Sequence, residues 1–138
     1  MMTPDRPAEH FSWAEFACRD AQRTPYPEAW RVTRGVPLGV ECERIRARIG
    51  PFSPDSAFRT RAHHLAIYAS MVPPQPPTLH SQHLDGRAVD IPQTPTCTWE
   101  MFRVGILTAA AEPGSLIRYI CFYPGQHFAH VDIRPTSG

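Results

Sequence analysis

Lysine is absent from the 138-residue sequence, so arginine supplies all 14 basic side chains. With 13 acidic residues, the formal net charge is +1. Proteins that bind nucleic acid usually carry a clustered basic face, so this balance predicts no nucleic-acid partner. The lack of lysine is a bias of composition and does not by itself indicate a function.

Long apolar runs are also missing. No stretch approaches the roughly 18 consecutive apolar residues of a transmembrane helix, and we expect no membrane span. Residues 1–6 lack the apolar segment of a secretory signal. The protein is therefore expected either to act in the cell that makes it or to be delivered by another route, and its localisation stays open. The length fits a single domain over 1–138, expected to be monomeric, with a loose lead-in at 1–10.

The four cysteines include no CxxC pair, which disfavours a cysteine zinc site. Two interpretations remain open. The cysteines are either buried free thiols that behave as small apolar side chains, or partners in one or two disulfides.

The first helix is predicted from a capping box. Ser12 can accept from the first turn, and Glu15 can reach back to the Ser12 backbone. Phe11 and Phe16 occupy the positions of a hydrophobic staple. We expect a short helix at about 13–18.

The clearest helix begins near Pro37, carries an apolar stripe as far as Ile49, and ends at Gly50. Near the C-terminus, Pro124 and Gly125 indicate a turn between two strands, which predicts an antiparallel hairpin. The other predicted elements are irregular structure at 19–35, a short strand at 56–60, a helix at 62–71, a proline-rich loop at 72–82, a strand at 87–91, a helix capped by Thr98 and ending near 110, a β-rich run at 116–122 and a last strand at 128–133.

Two separated stretches carry residues suited to a catalytic zinc site. Such sites usually have three protein ligands from His, Asp, Glu or Cys, with one position left for water. His83 and Asp90 flank a turn at Gly86 and can converge, while His130 can face them from the last hairpin. We expect these three residues to bind Zn²⁺, which lowers the pKa of its water to about 7.

Two further residues are candidates for catalysis. His127 lies three residues before His130, and a neutral imidazole can take a proton from the attacking water and pass it to the leaving amine. Arg59 can bind a substrate carboxylate or stabilise a developing oxyanion. Each of these residues taken alone is more often structural or solvated, so it is their joint occurrence that supports the site.

The remaining histidines receive no functional role. They are interpreted as surface or loop residues: His10, His63, His64 and His80.

The stretch Ser81-x-His83-x-x-Gly86-x-Ala88-x-Asp90 matches the signature SxHxxGxAxD. With this match the chain resembles the zinc D-alanyl-D-alanine carboxypeptidase and dipeptidase family, and in particular its carboxypeptidase and peptidoglycan endopeptidase branch. The resemblance covers about residues 10–135. Its other matching segments are His127-x-x-His130, Phe58-Arg59-Thr60 and the stretch from His10 to Cys18.

The resemblance implies an α+β fold shared with the hedgehog signalling domain, with a central antiparallel sheet and flanking helices. It also implies zinc as cofactor and peptidoglycan stem peptides as substrate. In the matching branch the first histidine of the HxxH element is the base and the second is a zinc ligand. Ser81 is then expected to hydrogen-bond near the ligands, and Asp132 to orient one of them.

Members of the family include D-Ala-D-Ala carboxypeptidases and L-Ala-D-Glu endopeptidases, and many are phage lysis enzymes or virion-associated proteins. The sequence does not indicate which of these two peptide bonds is cleaved. The alternative is a non-catalytic wall-binding or virion structural module on the same fold.

This chain departs from the family pattern in two ways. Ala57 replaces the usual glycine before the aromatic residue of the arginine strand, and a polyproline segment precedes Ser81. Some branches use glutamate as the base, so His127 is assigned from its branch and spacing.

Overall fold

The structure, a computed structural model, describes residues 4–78 and 80–136. Residues 1–3 of the predicted lead-in, Leu79 of the proline-rich loop and residues 137–138 lie outside the described residues. The described ranges contain four α-helices and a three-stranded antiparallel sheet, which confirms the α+β class. None of the helices described there combines the length and the apolar character needed to cross a membrane.

The first helix, α1 (Trp13–Phe16), has the predicted capping box, with Ser12 and Glu15 bonding reciprocally. The lead-in before it is tied to the rest of the protein. The Trp13 indole donates to the Pro4 carbonyl at 2.8 Å, and the His10 backbone N–H donates to Glu43 at 2.6 Å. Residues 4–10 therefore belong to the folded unit.

The second helix, α2 (Val36–Ile49), is preceded by a 3-10 turn (Glu28–Trp30) and a π-helical turn (Arg31–Gly35). The prediction of irregular structure throughout 19–35 was wrong for these residues. A Cβ on Gly35 would lie 2.5 Å from the Trp13 ring, so the turn depends on close packing against a distant aromatic residue. Local sequence signals do not contain that information.

Two further helices begin at threonine caps, of which the one at Thr98 was predicted. Thr60 caps α3 (Arg61–Ala69), and Thr98 caps α4 (Trp99–Ala110), each through a side-chain oxygen that accepts from the first turn. Helix α4 packs against α2, and both contribute to the core.

The sheet consists of β1 (Ala88–Pro92), β2 (Tyr119–Tyr123) and β3 (Phe128–Asp132) in the order β1-β3-β2. The predicted hairpin is confirmed: β2 and β3 are antiparallel and are joined by a 3-10 turn (Pro124–Gln126). One face of the sheet belongs to the hydrophobic core, and the other carries polar and aromatic side chains.

Residues 56–60 do not form the predicted strand. Ser56 makes an isolated bridge to Asp90 at the free edge of β1. Beyond it, the N–H of Phe58 donates to Phe16 and that of Arg59 donates to His83. Because these acceptors lie in different elements, the segment is extended but pairs with no single strand.

All four cysteines, Cys18, Cys42, Cys97 and Cys121, are free thiols in the structure. Cys42 is fully buried, and its burial raises the pKa of the thiol well above the usual value. This arrangement agrees with the first of the two interpretations, in which cysteine acts as a small apolar side chain.

Candidate metal centre

The pairing of β1 with β3 brings two predicted ligands together. Asp90 lies directly opposite His130 in the antiparallel register. Alternate residues of a strand face opposite sides, so their neighbours Val89 and Val131 point into the core while Asp90 and His130 share the other face. The backbone of the sheet therefore fixes the separation of this pair.

The third predicted ligand, His83, reaches the sheet across a turn. Gly86 adopts φ 70°, a left-handed conformation that favours glycine, and this reverses the chain between His83 and β1. The buried His83 ring lies with Nδ1 2.6 Å from the Ala57 carbonyl, and its backbone N–H donates to the Ser81 hydroxyl at 3.3 Å. These contacts orient the ring towards Asp90.

The three residues form one compact cluster. Each offers a ligand atom, and these atoms all lie within 4.8 Å of one another. One Asp90 oxygen, Oδ1, lies 3.1 Å from His83 Nε2 and 3.3 Å from His130 Nδ1. Two imidazole nitrogens and a carboxylate oxygen can hold a metal ion, and this donor set suits zinc among other divalent metals.

The hydrogen bonding of His83 fits a bound cation. A carbonyl only accepts, so the contact with Ala57 places the ring proton on Nδ1. Burial lowers the pKa of His83, which favours the neutral ring. The lone pair on Nε2 then faces a carboxylate oxygen of Asp90 at 3.1 Å, and a cation between these two acceptors would satisfy both.

Asp132, predicted to orient a ligand, contacts His130 directly. Its Oδ2 lies 2.7 Å from His130 Nε2, on the side of the ring opposite Asp90. Arg134 donates to both oxygens of Asp132, at 2.8 and 2.7 Å. Burial alone would raise the pKa of Asp132, but Arg134 and His130 together hold the pKa at about 2.

His130 therefore lies between two carboxylates. Burial opposes its protonation, yet hydrogen bonds to Asp132 and Asp90 prevail and raise the pKa of His130 to about 9. Without a metal ion the ring holds two protons near neutral pH. A metal ion that binds at Nδ1 must displace one of them.

Arg59 joins the cluster from the extended segment at 56–60. Its guanidinium Nη2 lies 3.2 Å from Asp90 Oδ2, and Nε donates to the Ser56 hydroxyl at 3.1 Å. Burial would raise the pKa of Asp90, but the hydrogen bond from His130 and the charge of Arg59 hold it well below its ordinary value. Asp90 thus divides its two oxygens between the candidate metal and a cation.

His64 is a residue of this site that the sequence did not reveal. It was expected at the surface, but only 1% of it is exposed. His64 Nε2 lies 2.8 Å from the Thr78 carbonyl, so Nδ1 is the accepting nitrogen, and it lies 3.4 Å from Arg59 Nη1. Arg59 lies five residues before His64 but outside α3, and Thr78 lies fourteen residues after it, so the periodicity of the helix does not reveal either contact.

His127, the predicted base, is exposed at the end of the hairpin turn. Its backbone is left-handed, with φ 58°, and Nδ1 lies 3.2 Å from the Gln93 side chain. His127 does not line the cavity above the cluster, although Gln126 and Phe128 on either side of it do. Its assignment as the base stays a prediction.

A cavity of about 530 Å³ lies over the three ligands. The sheet contributes aromatic side chains to one wall, and α3 with the proline-rich loop contributes the other. The lining residues beyond the ligands are Arg59, Ile67, Tyr68, Met71, Thr78, His80, Ser81, Gln82, Tyr119, Tyr123, Gln126, Phe128 and Arg134. The volume is that of a pocket able to hold a small peptide segment.

Comparisons of the chain with family models, with curated proteins and with solved structures find no match.

Proposed function

We propose that this protein is a zinc-dependent peptidase that hydrolyses a peptide bond in peptidoglycan stem peptides, on the fold shared with the hedgehog domain. The observation that carries the proposal is the convergence of His83, Asp90 and His130 beneath one cavity, with Arg59 bound to the same carboxylate. A metal site that was only structural would not require an arginine beside it.

The residues of the chain have separate roles in this proposal. His83, Asp90 and His130 hold the ion, and Asp132 keeps His130 in orientation. When bound, zinc supplies Lewis acidity to the scissile carbonyl and makes water nucleophilic near neutral pH. Arg59 either binds a substrate carboxylate or stabilises negative charge on the carbonyl oxygen.

The reaction needs a group that transfers a proton. Water adds its oxygen to the acyl carbon, the C–N bond breaks, and a proton of the water passes to the leaving amine. The proposed carrier is His127, which must turn from Gln93 towards the cavity to act. If His127 is the base, His127→Ala lowers kcat by about 10²–10⁴-fold, whereas a loss of less than about threefold would assign the base to another residue.

Metal analysis and product analysis test the proposal together. We expect the purified protein to hold about one zinc per chain, and mass spectrometry of digested muropeptides to show loss of D-alanine or cleavage between L-alanine and D-glutamate. His83→Ala should lose both properties. His63→Ala, a change at a half-buried histidine of α3, should retain both and serves as the control.

A second function is favoured by the position of His127 outside the cavity wall. In that case the protein binds cell-wall peptides or serves in a virion without cleaving them. Zinc-loaded protein that sediments with purified peptidoglycan but releases no peptide over many hours would support the binding module and exclude the peptidase.

A further inference from the structure

A second cavity, of about 580 Å³, adjoins the one above the metal cluster. The two cavities share Arg59, His80, Ser81 and Gln82, while His83, Asp90 and His130 line only the first. The segment at 80–82 is therefore a common wall, and a ligand centred on the cluster can extend past it into the second cavity.

Gln82 in this common wall has an unsatisfied buried acceptor. Its Oε1 is shielded from solvent and has no hydrogen-bond partner within residues 4–78 and 80–136. A buried acceptor without a partner is destabilising, so such an atom usually has a partner in the functional state. Because Gln82 lines both cavities, a turn of its side-chain amide can bring Oε1 to an N–H group of a ligand that crosses the wall.

The second cavity is lined by more basic than acidic side chains. Arg59 and Arg61 line it together with one carboxylate, Asp85. Asp85 already lies 3.9 Å from Arg87, and Arg59 is bound to Asp90. Arg61 is exposed and makes no ion pair or side-chain hydrogen bond in the described part of the chain.

The base of the second cavity is aromatic. Phe58 is buried, and Trp30 packs edge-on against it with ring centroids 6.1 Å apart. Arg34 stacks on the Trp30 ring at 4.1 Å, which fixes the indole. The apolar part of a ligand side chain can lie on this surface while a carboxylate at its end reaches Arg61.

We propose that the second cavity is a binding site for a carboxylate-bearing residue of an extended peptide. A backbone N–H of the peptide donates to Gln82 Oε1, and the carboxylate is bound by Arg61. Extended peptide advances about 3.3–3.6 Å per residue, so adjacent residues of one chain can occupy the two cavities. The inference depends on the proposed function for its peptide substrate, but not on cleavage.

The test uses two peptides that differ only in one carboxylate, which is free in the first and converted to a primary amide in the second. In both, the scissile amide is replaced by a non-hydrolysable methylene-amine, and Kd is measured by calorimetry with the zinc-loaded protein. Amidation should weaken binding to the wild-type protein about tenfold or more, as expected for loss of a charge-assisted hydrogen bond.

Matched variants then assign the site. Arg61→Gln should bind both peptides equally, Arg61→Lys should retain most of the preference, and Arg103→Gln on α4 should behave as wild type. Gln82→Met keeps the shape but removes the acceptor, so it should weaken binding several-fold. N-methylation of the peptide amide that donates to Gln82 should weaken binding to the wild-type protein and have no effect on binding to Gln82→Met.

Two outcomes separate this inference from the proposed function. Preference for the carboxylate that is lost in Arg61→Gln, in a protein that cleaves no muropeptide, supports the binding site and overturns the peptidase. Cleavage of muropeptides with an unchanged preference in Arg61→Gln overturns the binding site and leaves the peptidase intact.

Discussion

The two sides of the cavity are held by different kinds of interaction. On the sheet side, Asp90, His130 and Asp132 are positioned by the hydrogen bonding of β1 and β3. On the opposite side, α3 and the proline-rich loop meet through a few polar contacts. Tyr68 and His64 both bond to Thr78, and the loop residue Val72 is 98% exposed.

This difference separates chemistry from shape. The ligand atoms require positions fixed to within a few tenths of an ångström, and paired strands provide that precision. The loop side requires only a surface that a peptide can contact, so fewer bonds suffice. Changes on the sheet side should therefore weaken metal binding, while changes on the loop side should change kcat/KM and leave metal binding nearly unaltered.

The largest effect is expected for Asp90→Asn. The substitution removes the shared charge at Oδ1 and leaves Arg59 without its carboxylate. Zinc affinity should fall by more than about a hundredfold, since even residues outside the ligand set commonly contribute 10–100-fold. Competition with a chromogenic chelator measures the change.

Asp85→Asn is the matched control for that variant, because this half-exposed carboxylate lies on the same turn without contacting the ligands. Equal zinc affinity in the two variants would contradict the assignment of Asp90.

Asp132→Asn should have the next largest effect. Its Oδ2 accepts hydrogen bonds from His130 Nε2 and from Arg134. The amide of asparagine is neutral, so it lacks the negative charge that pairs with both groups. We expect zinc affinity to fall about 10–100-fold, with the three ligands still present. If the affinity is unchanged, the sheet side does not depend on its outer carboxylate.

Zinc binding should also depend on pH through His130. The pKa of His130 in the metal-free protein is raised to about 9, so below that pH a proton must leave before the ion binds. Affinity should decrease by up to about tenfold per pH unit as the pH falls from 8 to 7. Calorimetry in buffers of different ionisation enthalpy should show release of about one proton per zinc.

The smallest effects are expected on the loop side, at His64. His64→Asn retains an oxygen near the position of Nδ1 and can still accept from Arg59, while His64→Gln retains a donor near Nε2 for Thr78. We expect zinc affinity to stay within about twofold in both variants, and kcat/KM to fall several-fold, about one hydrogen bond's worth.

The comparison of these two variants separates the contacts of His64. A larger fall in kcat in His64→Gln would indicate that His64 acts through Arg59, and a larger rise in KM in His64→Asn would indicate that it acts through the loop. Loss of zinc in either variant would contradict the separation between the two sides.

Local signals predicted much of the scaffold. The capping box at Ser12, the cap at Thr98 and the turn at Pro124 each depend on residues a few positions apart, and each is present. The convergence of His83 and Asp90 across the Gly86 turn was also predicted, because the turn and the alternation of the strand are both local.

Other features depend on distant partners and were not predicted. Residues 56–60 were predicted as a strand, but the N–H groups of Phe58 and Arg59 donate to α1 and to His83. Towards β1, the Ser56 carbonyl accepts from the Asp90 N–H. His64 lies on a helix face whose contacts with Arg59 and Thr78 are formed only by the folding of a loop and an extended segment. A sequence read along one element at a time does not contain these pairings.

The carboxylate of Asp90, shared between the candidate metal and Arg59, has a thermodynamic consequence. Without an ion, the charges of Asp90 and Arg59 cancel and His130 is protonated, whereas a divalent ion that displaces one proton from His130 raises the charge of the site by one unit. Anionic ligands should therefore bind more tightly to the loaded protein. By reciprocity of coupled equilibria, an anionic ligand should strengthen binding of the ion by the same free energy that the ion adds to binding of the ligand.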